Sequence, residues 1–568
     1  AEDLTLAEAA ALVAMFQGPT FYRPDRNPAG LLARRDRILR QAGEEGWIND
    51  EELRLALREP LPRFQAALPL SHWHFAEHSL ARAGKSRWEN GGPPLTTSLD
   101  PHIQDLLRQN LALALAGLPA DITAAGAVAD NASGALVAYV GNARFDPATG
   151  LNWVDCGNAP RSPGSTLKPF VYLEALEQGL LVPGSLLADT PLSFSGQAPR
   201  NFDRAYRGPV SAAQALSESL NAPAVRVLRL VGGEAALHRL RAFGFRHFSR
   251  AASHYGDSLV LGGCEVTLLE LLQAYSDLAR LGTRHPLVLN PDLEPAQTSP
   301  ACSPAGAYLI ADMLHAMRLL PPAQREAMVR KGRGLAFKTG TSYGLRDAWV
   351  CAYTPEHTVV IWLGNEQSRP HEELVGTAGA APAAFRILRD IPLKQPARWF
   401  LPPTGVETFL ACRLSGRPAT PFCPETVNAK RIQGISHSLR CSLHRETGTG
   451  IQTTLPPDLE DFARLRSLQS GHSPAVTITS PRPGANYLLN TAAPEQKLAL
   501  SCEGRQGRVY WFVNRSFYAV QEEDDTLLWP MRPGNFTISL VDELGKSASV
   551  TFRITDTAAG QPVPLRLE

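Results

Sequence analysis

Of the eight lysines in this chain, Lys168 alone has a serine three residues before it. It sits in Arg161-Ser162-Pro163-Gly164-Ser165-Thr166-Leu167-Lys168-Pro169-Phe170, and the run continues with helical spacing to a stop at Gly179. That pattern predicts a tight turn at Gly164 and a helix carrying Ser165 and Lys168 on its first turn. Residues at i and i+3 share one helix face. A serine hydroxyl is a weak nucleophile until a base takes its proton, and an amine serves when burial and nearby cations pull its pKa down. Ser-Lys is a working variant of the Ser-His arrangement, and a helix N-terminus favours negative charge developing on Ser165.

Two later stretches carry polar groups that could join this pair. In Ala215-Leu216-Ser217-Glu218-Ser219-Leu220-Asn221-Ala222-Pro223, a helix gives way to a short connection and then to a helix with Pro223 near its start, so Ser219 and Asn221 can point the same way. In Ala336-Phe337-Lys338-Thr339-Gly340-Thr341-Ser342, a strand leads through a turn to a second strand from Asp347 and a third from Thr358. Gly340 is expected to leave room for a ligand to approach the strand backbone. Ser-x-x-Lys, Ser-x-Asn and Lys-Thr-Gly in this order resemble the penicillin-binding transpeptidases and the serine β-lactamases.

Composition limits what surrounds these motifs. The 56 basic and 55 acidic residues nearly cancel, which leaves no electrostatic case for nucleic acid or a membrane surface as partner. No run of 18 apolar residues occurs, since Pro119 and Asp121 break the most apolar region, Leu111 to Ala129. The sequence opens on Ala1 without a signal-peptide pattern and reads as a soluble fragment. Its 568 residues imply three or four units.

In chain order, residues 1–60 read as helical: an alanine-rich helix from Leu6 ended by Gly18-Pro19, then a second from Leu31. Residues 61–92 read as a linker in which His72, His74 and His78 are ordinary linker histidines. Residues 93–395 form an α+β layered domain: a hairpin of Ala127–Ala129 with Ala135–Val140, the Ser165 helix, a mainly helical insert, and the Lys338 strands. Within the insert, Thr267-Leu268-Leu269-Glu270 has capping-box spacing. Asn201-Phe202-Asp203 and Leu261-Gly262-Gly263 read as structural or cleft-shaping. Residues 396–472 are a loop-rich connector with Cys412, Cys423, Cys441 and His444, which could ligate zinc. A disulfide within the three cysteines is the favoured expectation, because an oxidising compartment is implied below. Cys156, Cys264, Cys302, Cys351 and Cys502 read as small buried residues. Residues 473–568 show strand runs at Ala475–Ile478, Lys497–Leu500, Val509–Val513, Phe536–Val541 and Val550–Ile554, the pattern of a small antiparallel β-sandwich.

The resemblance extends over nearly the whole chain. Residues 1–60 resemble the end of the glycosyltransferase domain in bifunctional, class A penicillin-binding proteins, and the tail looks like a C-terminal domain of that class. The implied fold is therefore a multidomain α+β chain: a penicillin-binding, serine β-lactamase-like transpeptidase domain with a C-terminal sandwich and an N-terminal helical remnant. The residues that would carry glycosyl transfer lie upstream of this chain. By resemblance, Ser165 is the nucleophile, Lys168 the base, Ser219 a proton relay and Asn221 a substrate and Lys168 partner. Lys338 lowers the pKa of Lys168 by cation repulsion and favours the substrate carboxylate, which the Thr339 and Thr341 hydroxyls also suit; Gly340 is a substrate-binding position with them, and the backbone N–H groups of Ser165 and Thr341 form the oxyanion hole. No cofactor or metal is implied. The implied partners are peptidoglycan stem peptides ending in D-Ala-D-Ala, β-lactams, and cell-wall assembly proteins through the sandwich. The implied location is the periplasmic side of the bacterial inner membrane, with the anchor outside this chain. A D,D-carboxypeptidase, a non-catalytic scaffold and a penicillin sensor are the alternatives. A β-lactamase would need a deacylating glutamate loop, and no stretch resembles one.

Overall fold

The structure, a computed structural model, describes residues 4–556 apart from 25, 62–71, 85–93, 147–151, 193–200, 202, 204, 294–297, 316, 321, 377–378, 394–397, 437–438, 449, 471–475, 491–494, 506, 515, 523–524 and 544–545. Among the described residues, no helix is long and apolar enough to cross a membrane. The chain divides into two compact units, Ala1–His72 and Trp73–Glu568.

The first unit is helical, as its pattern anticipates. Helices α1 (Leu6–Phe16) and α3 (Asp50–Arg58) each begin with a complete capping box, from Thr5 with Glu8 and from Asn49 with Glu52. Helix α2 (Pro28–Glu44) is capped by Asn27 and has proline in its first turn. Small side chains, Ala7, Ala10 and Ala56, pack with Leu39.

The second unit begins inside the stretch expected to be a linker. Residues 73–83 form helix α4 (Trp73–Ala83), which buries His74 and Phe75. His78 Nε2 meets Asp155 Oδ2 at 2.7 Å, and the Ser79 hydroxyl donates to Asn290 Oδ1. The histidines tie this helix to the domain beyond it. Asp155 and Asn290 are too far along the sequence for spacing to have revealed them. The rest of the expected linker, 62–71 and 85–92, lies outside the described residues.

The central sheet forms as the α+β reading predicts. After helix α5 (Pro101–Ala114) come β1 (Ile122–Asp130) and β2 (Leu136–Val140), then α6 (Lys168–Glu177), β3 (Leu186–Asp189), β4 (Gly208–Ser211), α7 (Asn221–Val231) and α8 (Leu268–Ala279). Strands β5 (Ala336–Thr341), β6 (Asp347–Tyr353) and β7 (His357–Asn365) follow, then helix α9 (Ala380–Asp390). The order is β2-β1-β7-β6-β5, antiparallel throughout, with Ile122 opposite Asn365 and Lys338 opposite Cys351. Every residue of β6 and β7 is buried, and their central stretches, 348–353 and 359–363, read as apolar runs. One face packs on α6 and α8, the other on α5 and α9. Strand β5 is the edge, with buried and half-buried positions alternating.

The connector is more ordered than expected. It holds two hairpins, β8 (Val406–Cys412) with β9 (Thr426–Ile432) and β10 (His444–Thr447) with β11 (Gly450–Thr453), followed by helix α10 (Pro457–Ser470). The tail has a three-stranded and a five-stranded sheet. Strands β12 (Thr477–Ser480), β13 (Asn486–Leu489), β14 (Lys497–Glu503), β15 (Val509–Val513), β16 (Ser516–Gln521), β17 (Leu527–Pro530), β18 (Gly534–Asp542) and β19 (Ser547–Asp556) build it. Its order departs from the antiparallel expectation at one place: β13 pairs parallel to β19, because the chain reaches that edge from β12 by a crossover rather than a hairpin. Its core centres on the fully buried Trp511, whose Nε1 donates to Gln521 Oε1 at 2.9 Å.

Trp511→Ala should cost about 3–5 kcal/mol through the cavity it leaves. Urea denaturation should show a lowered midpoint for the sandwich, with the midpoint of the domain that holds the central sheet unchanged.

Candidate active site

Ser165 stands on a single 3-10 turn, Gly164–Leu167, which runs directly into α6 with Lys168 as its first residue. The turn is pinned from several sides. Trp349 Nε1 donates to Ser162 O at 2.8 Å, the Ser162 hydroxyl donates to Gly262 O at 2.7 Å, and the Tyr275 hydroxyl donates to Thr166 O at 2.7 Å. Gly164 has φ +54, and a methyl group there would lie 2.6 Å from Thr341 O. Only glycine meets both demands. The same contact corrects the expectation for Gly340: the space beside it is filled by Pro163 O and Thr166 of this chain, so its missing side chain seats the serine turn against β5 instead of admitting a ligand.

Lys168 is fully buried. Its Nζ donates to Ser219 O (2.7 Å), Leu220 O (3.1 Å) and Asn221 Oδ1 (2.6 Å). Lys338, 2 % exposed, donates from Nζ to Ser219 Oγ and to Thr339 O, both at 2.7 Å. Ser219 therefore joins the two amines, its carbonyl serving one and its hydroxyl the other. It does so with φ +62, a left-handed backbone that turns both groups inward from the loop before α7. Burial, then repulsion by Lys338, hold the Lys168 pKa well below that of an ordinary lysine, against an opposing pull from Asp189. Burial brings Lys338 down to about 7.

A second ring of residues fixes this loop. Asn221 N–H donates to Asn201 Oδ1 at 2.8 Å, and Asn201 Nδ2 donates to both oxygens of Asp189, at 3.0 and 2.8 Å, and to Ala205 O at 2.7 Å. Arg207 N–H completes the contacts of the buried Asp189 at 2.9 Å. Desolvation raises the Asp189 pKa despite these bonds.

Thr341 Oγ1 accepts from Gly376 N–H at 3.2 Å, which leaves its hydroxyl proton free to be donated. Thr341 N lies beside Gly164, so the backbones of the serine turn and of β5 meet at one point. The arrangement offers a serine on a helix start, a depressed amine, a second depressed amine and backbone donors close together. That set suits acyl transfer through a covalent serine ester.

The description "Penicillin binding protein transpeptidase domain" matches residues 124–391, and "Penicillin-Binding Protein C-terminus Family" matches residues 466–552. Residues 124–391 form a penicillin-binding transpeptidase domain.

Among relatives of this family, penicillin-binding protein 1C of Escherichia coli is 28 % identical over 97 % of this chain and 76 % of its own length. It is also the protein that the tail resembles in sequence. Penicillin-binding protein 1B of Vibrio cholerae is 30 % identical over 72 % of this chain, which spans 55 % of that relative. In fold, penicillin-binding protein 1A from Haemophilus influenzae superposes with a TM-score of 0.58 at 19 % identity, covering 77 % of this chain and 86 % of that one. PonA1 from Mycobacterium tuberculosis superposes with a TM-score of 0.52 at 21 % identity, covering 63 % and 97 %. The domain at the centre of this chain is a peptidoglycan transpeptidase domain.

Of the candidate residues read from the motifs, Lys168, Ser219, Asn221, Lys338 and Thr339 are joined by hydrogen bonds, and the turn that carries Ser165 is seated against Gly340 and Thr341. Sequence reading missed Asp189, whose link to Asn221 runs through Asn201 and leaves no short-range pattern. Asn201→Ala should slow acylation by a β-lactam roughly tenfold to a hundredfold, the effect of leaving Asp189 and the Asn221 amide without their buried partner. Stopped-flow acylation should show the loss, and circular dichroism an unchanged fold.

Proposed function

We propose that the transpeptidase domain works through a serine acyl-enzyme and is specific for stem peptides ending in D-Ala-D-Ala. Ser165 Oγ attacks the carbonyl carbon of the D-Ala-D-Ala bond as Lys168 takes its proton. The backbone N–H groups of Ser165 and Thr341 hold the oxyanion. The C–N bond then breaks, Ser219 relays a proton to the departing amine, and D-alanine leaves. The amine of a second stem peptide attacks the Ser165 ester, forming the cross-link and returning the proton to the serine. Lys338 with the Thr339 and Thr341 hydroxyls receives the terminal carboxylate, and Asn221 orients the peptide.

The observation that carries this reading is the pair of buried amines joined through Ser219. Burial, and then repulsion by Lys338, make Lys168 release its proton more readily than an ordinary lysine. Lys168 Nζ makes three donor contacts in the resting site, the full complement of an ammonium. Substrate entry must free one of them before the amine can act as a base.

β-Lactams would acylate Ser165 by the same attack on their strained amide. The full-length protein is proposed to carry a peptidoglycan glycosyltransferase ahead of this chain, on the likeness of residues 1–60 to the end of that domain, and to act on the periplasmic side of the inner membrane. The sandwich is proposed as the contact surface for cell-wall assembly partners.

Intact-protein mass spectrometry after incubation with a penicillin should give an adduct of one penicillin mass. It should vanish in Ser165→Ala and form at least roughly a hundredfold more slowly in Lys168→Ala, the scale of a lost general base. Incubation with donor and acceptor stem peptides should give dimers. Free D-alanine without dimers would instead identify a D,D-carboxypeptidase.

A further inference from the structure

In the connector, two short hairpins meet where Cys412 ends β8, Cys423 precedes β9, Cys441 precedes β10 and His444 begins it. The three sulfurs and an imidazole nitrogen all lie within 4.8 Å of one another. All three thiols are free, which corrects the favoured expectation of a disulfide among them. The oxidising compartment argued for a bridge, but the cysteines are arranged around a common centre, with an imidazole occupying the fourth corner.

Two distances define that centre. His444 Nδ1 is 3.5 Å from Cys412 Sγ and 3.4 Å from Cys441 Sγ. One ring nitrogen offers a single proton or a single lone pair, so it can satisfy only one of two thiols. A zinc ion bound at 2.3 Å by sulfur and about 2.1 Å by nitrogen in tetrahedral geometry puts its ligands about 3.5 Å apart along such an edge. Backbone amides also donate to the sulfurs: Ser415 N–H to Cys412 Sγ at 3.5 Å and Thr420 N–H to Cys423 Sγ at 3.3 Å. These donors favour the thiolate form that a metal takes. Cys412, Cys441 and His444 are buried and Cys423 is half-buried, so the centre is closed to a fifth ligand from solvent.

We propose that Cys412, Cys423, Cys441 and His444 bind one Zn2+ as a structural site. Three thiolates and one imidazole form the soft, four-coordinate set that zinc prefers, with no open position for catalysis. On binding, the three thiols release their protons, and His444 Nε2 keeps the ring proton while Nδ1 coordinates.

The need for such a clamp follows from the hairpins. Every described residue of β11 is exposed and most of β8 and β9 is at best half-buried, so among the described residues the hairpins share little apolar core of their own, Ile432 and Val406 packing instead on the core of the domain before them. A small module without a core is stabilised by a metal or a disulfide instead. The clamp also reaches the transpeptidase domain. Ser415, three residues after Cys412, accepts at its carbonyl from Leu186 N–H at 3.3 Å. Leu186 opens β3, the strand that ends at Asp189.

The test is metal analysis of the full chain purified without chelator, followed by replacement with Co2+ alone. One zinc per chain is expected, and the cobalt form should show thiolate-to-cobalt charge-transfer bands with the intense visible bands of a tetrahedral ion. Cys441→Ser and Cys423→Ser should lose stoichiometric cobalt, whereas Cys502→Ser, outside the cluster, should retain one. Substoichiometric zinc with no tetrahedral cobalt spectrum in the wild-type chain would overturn the proposal. So would peptide mapping that finds two of the three cysteines disulfide-bonded in protein recovered from its native compartment.

Discussion

Two lysine amines buried beside one serine are the constraint around which the transpeptidase domain is built. Taking a lysine out of water disfavours its charged form, and a neighbouring cation disfavours it further. A fall from an ordinary value to about 7 for Lys338 corresponds to on the order of 5 kcal/mol. The sign follows from linkage. Between pH 7 and about 10.4 the unfolded chain binds a proton that the folded site does not, so stability rises with pH in that window and the full cost is felt below it. The surrounding core must offset this cost at neutral pH, and it is large: α6 alone places Phe170, Val171, Tyr172 and Leu173 fully inside, with Phe170 edge-on to Phe243, Phe245 and Tyr275.

The same constraint explains the rigidity around the cleft. A depressed amine is useful only if its distances are fixed, because a relaxed loop would let water restore the ammonium. Ser219 holds a left-handed backbone to present one oxygen to each lysine. Behind it, Asn201 and Asp189 hold the start of α7. On the other side, Gly164 and Gly340 bring the serine turn into backbone contact with the edge strand. Chemistry at an edge strand is sensible in physical terms, since its outer groups are unclaimed by the sheet and remain free for an extended peptide.

How much of this was legible in the sequence depended on the range over which each feature is encoded. Ser165 and Lys168 share a turn, and Ser219 and Asn221 a loop, so short spacing exposed them. The edge strand at Lys338 alternates in burial and was also visible. Asp189 was not, because its carboxylate reaches Asn221 only through Asn201, across two strands and a helix start. The helix at 73–83 was hidden among residues of mixed polarity, and its anchors, Asp155 and Asn290, are remote. The connector hairpins expose most of both faces and so lack an alternating pattern. The cysteine and histidine positions were readable, yet their gathering around one centre shows only in space.

The central claim is that Lys168 is held ready to lose its proton by burial and by Lys338. NMR titration of the chain with 13Cε-labelled lysine tests it directly, since eight lysines allow Lys168 to be assigned by its absence in Lys168→Arg. The account predicts a Lys168 resonance titrating well below the ordinary lysine range and moving upward in Lys338→Met. A Lys168 titration at the ordinary value, unchanged when Lys338 is replaced, would contradict it.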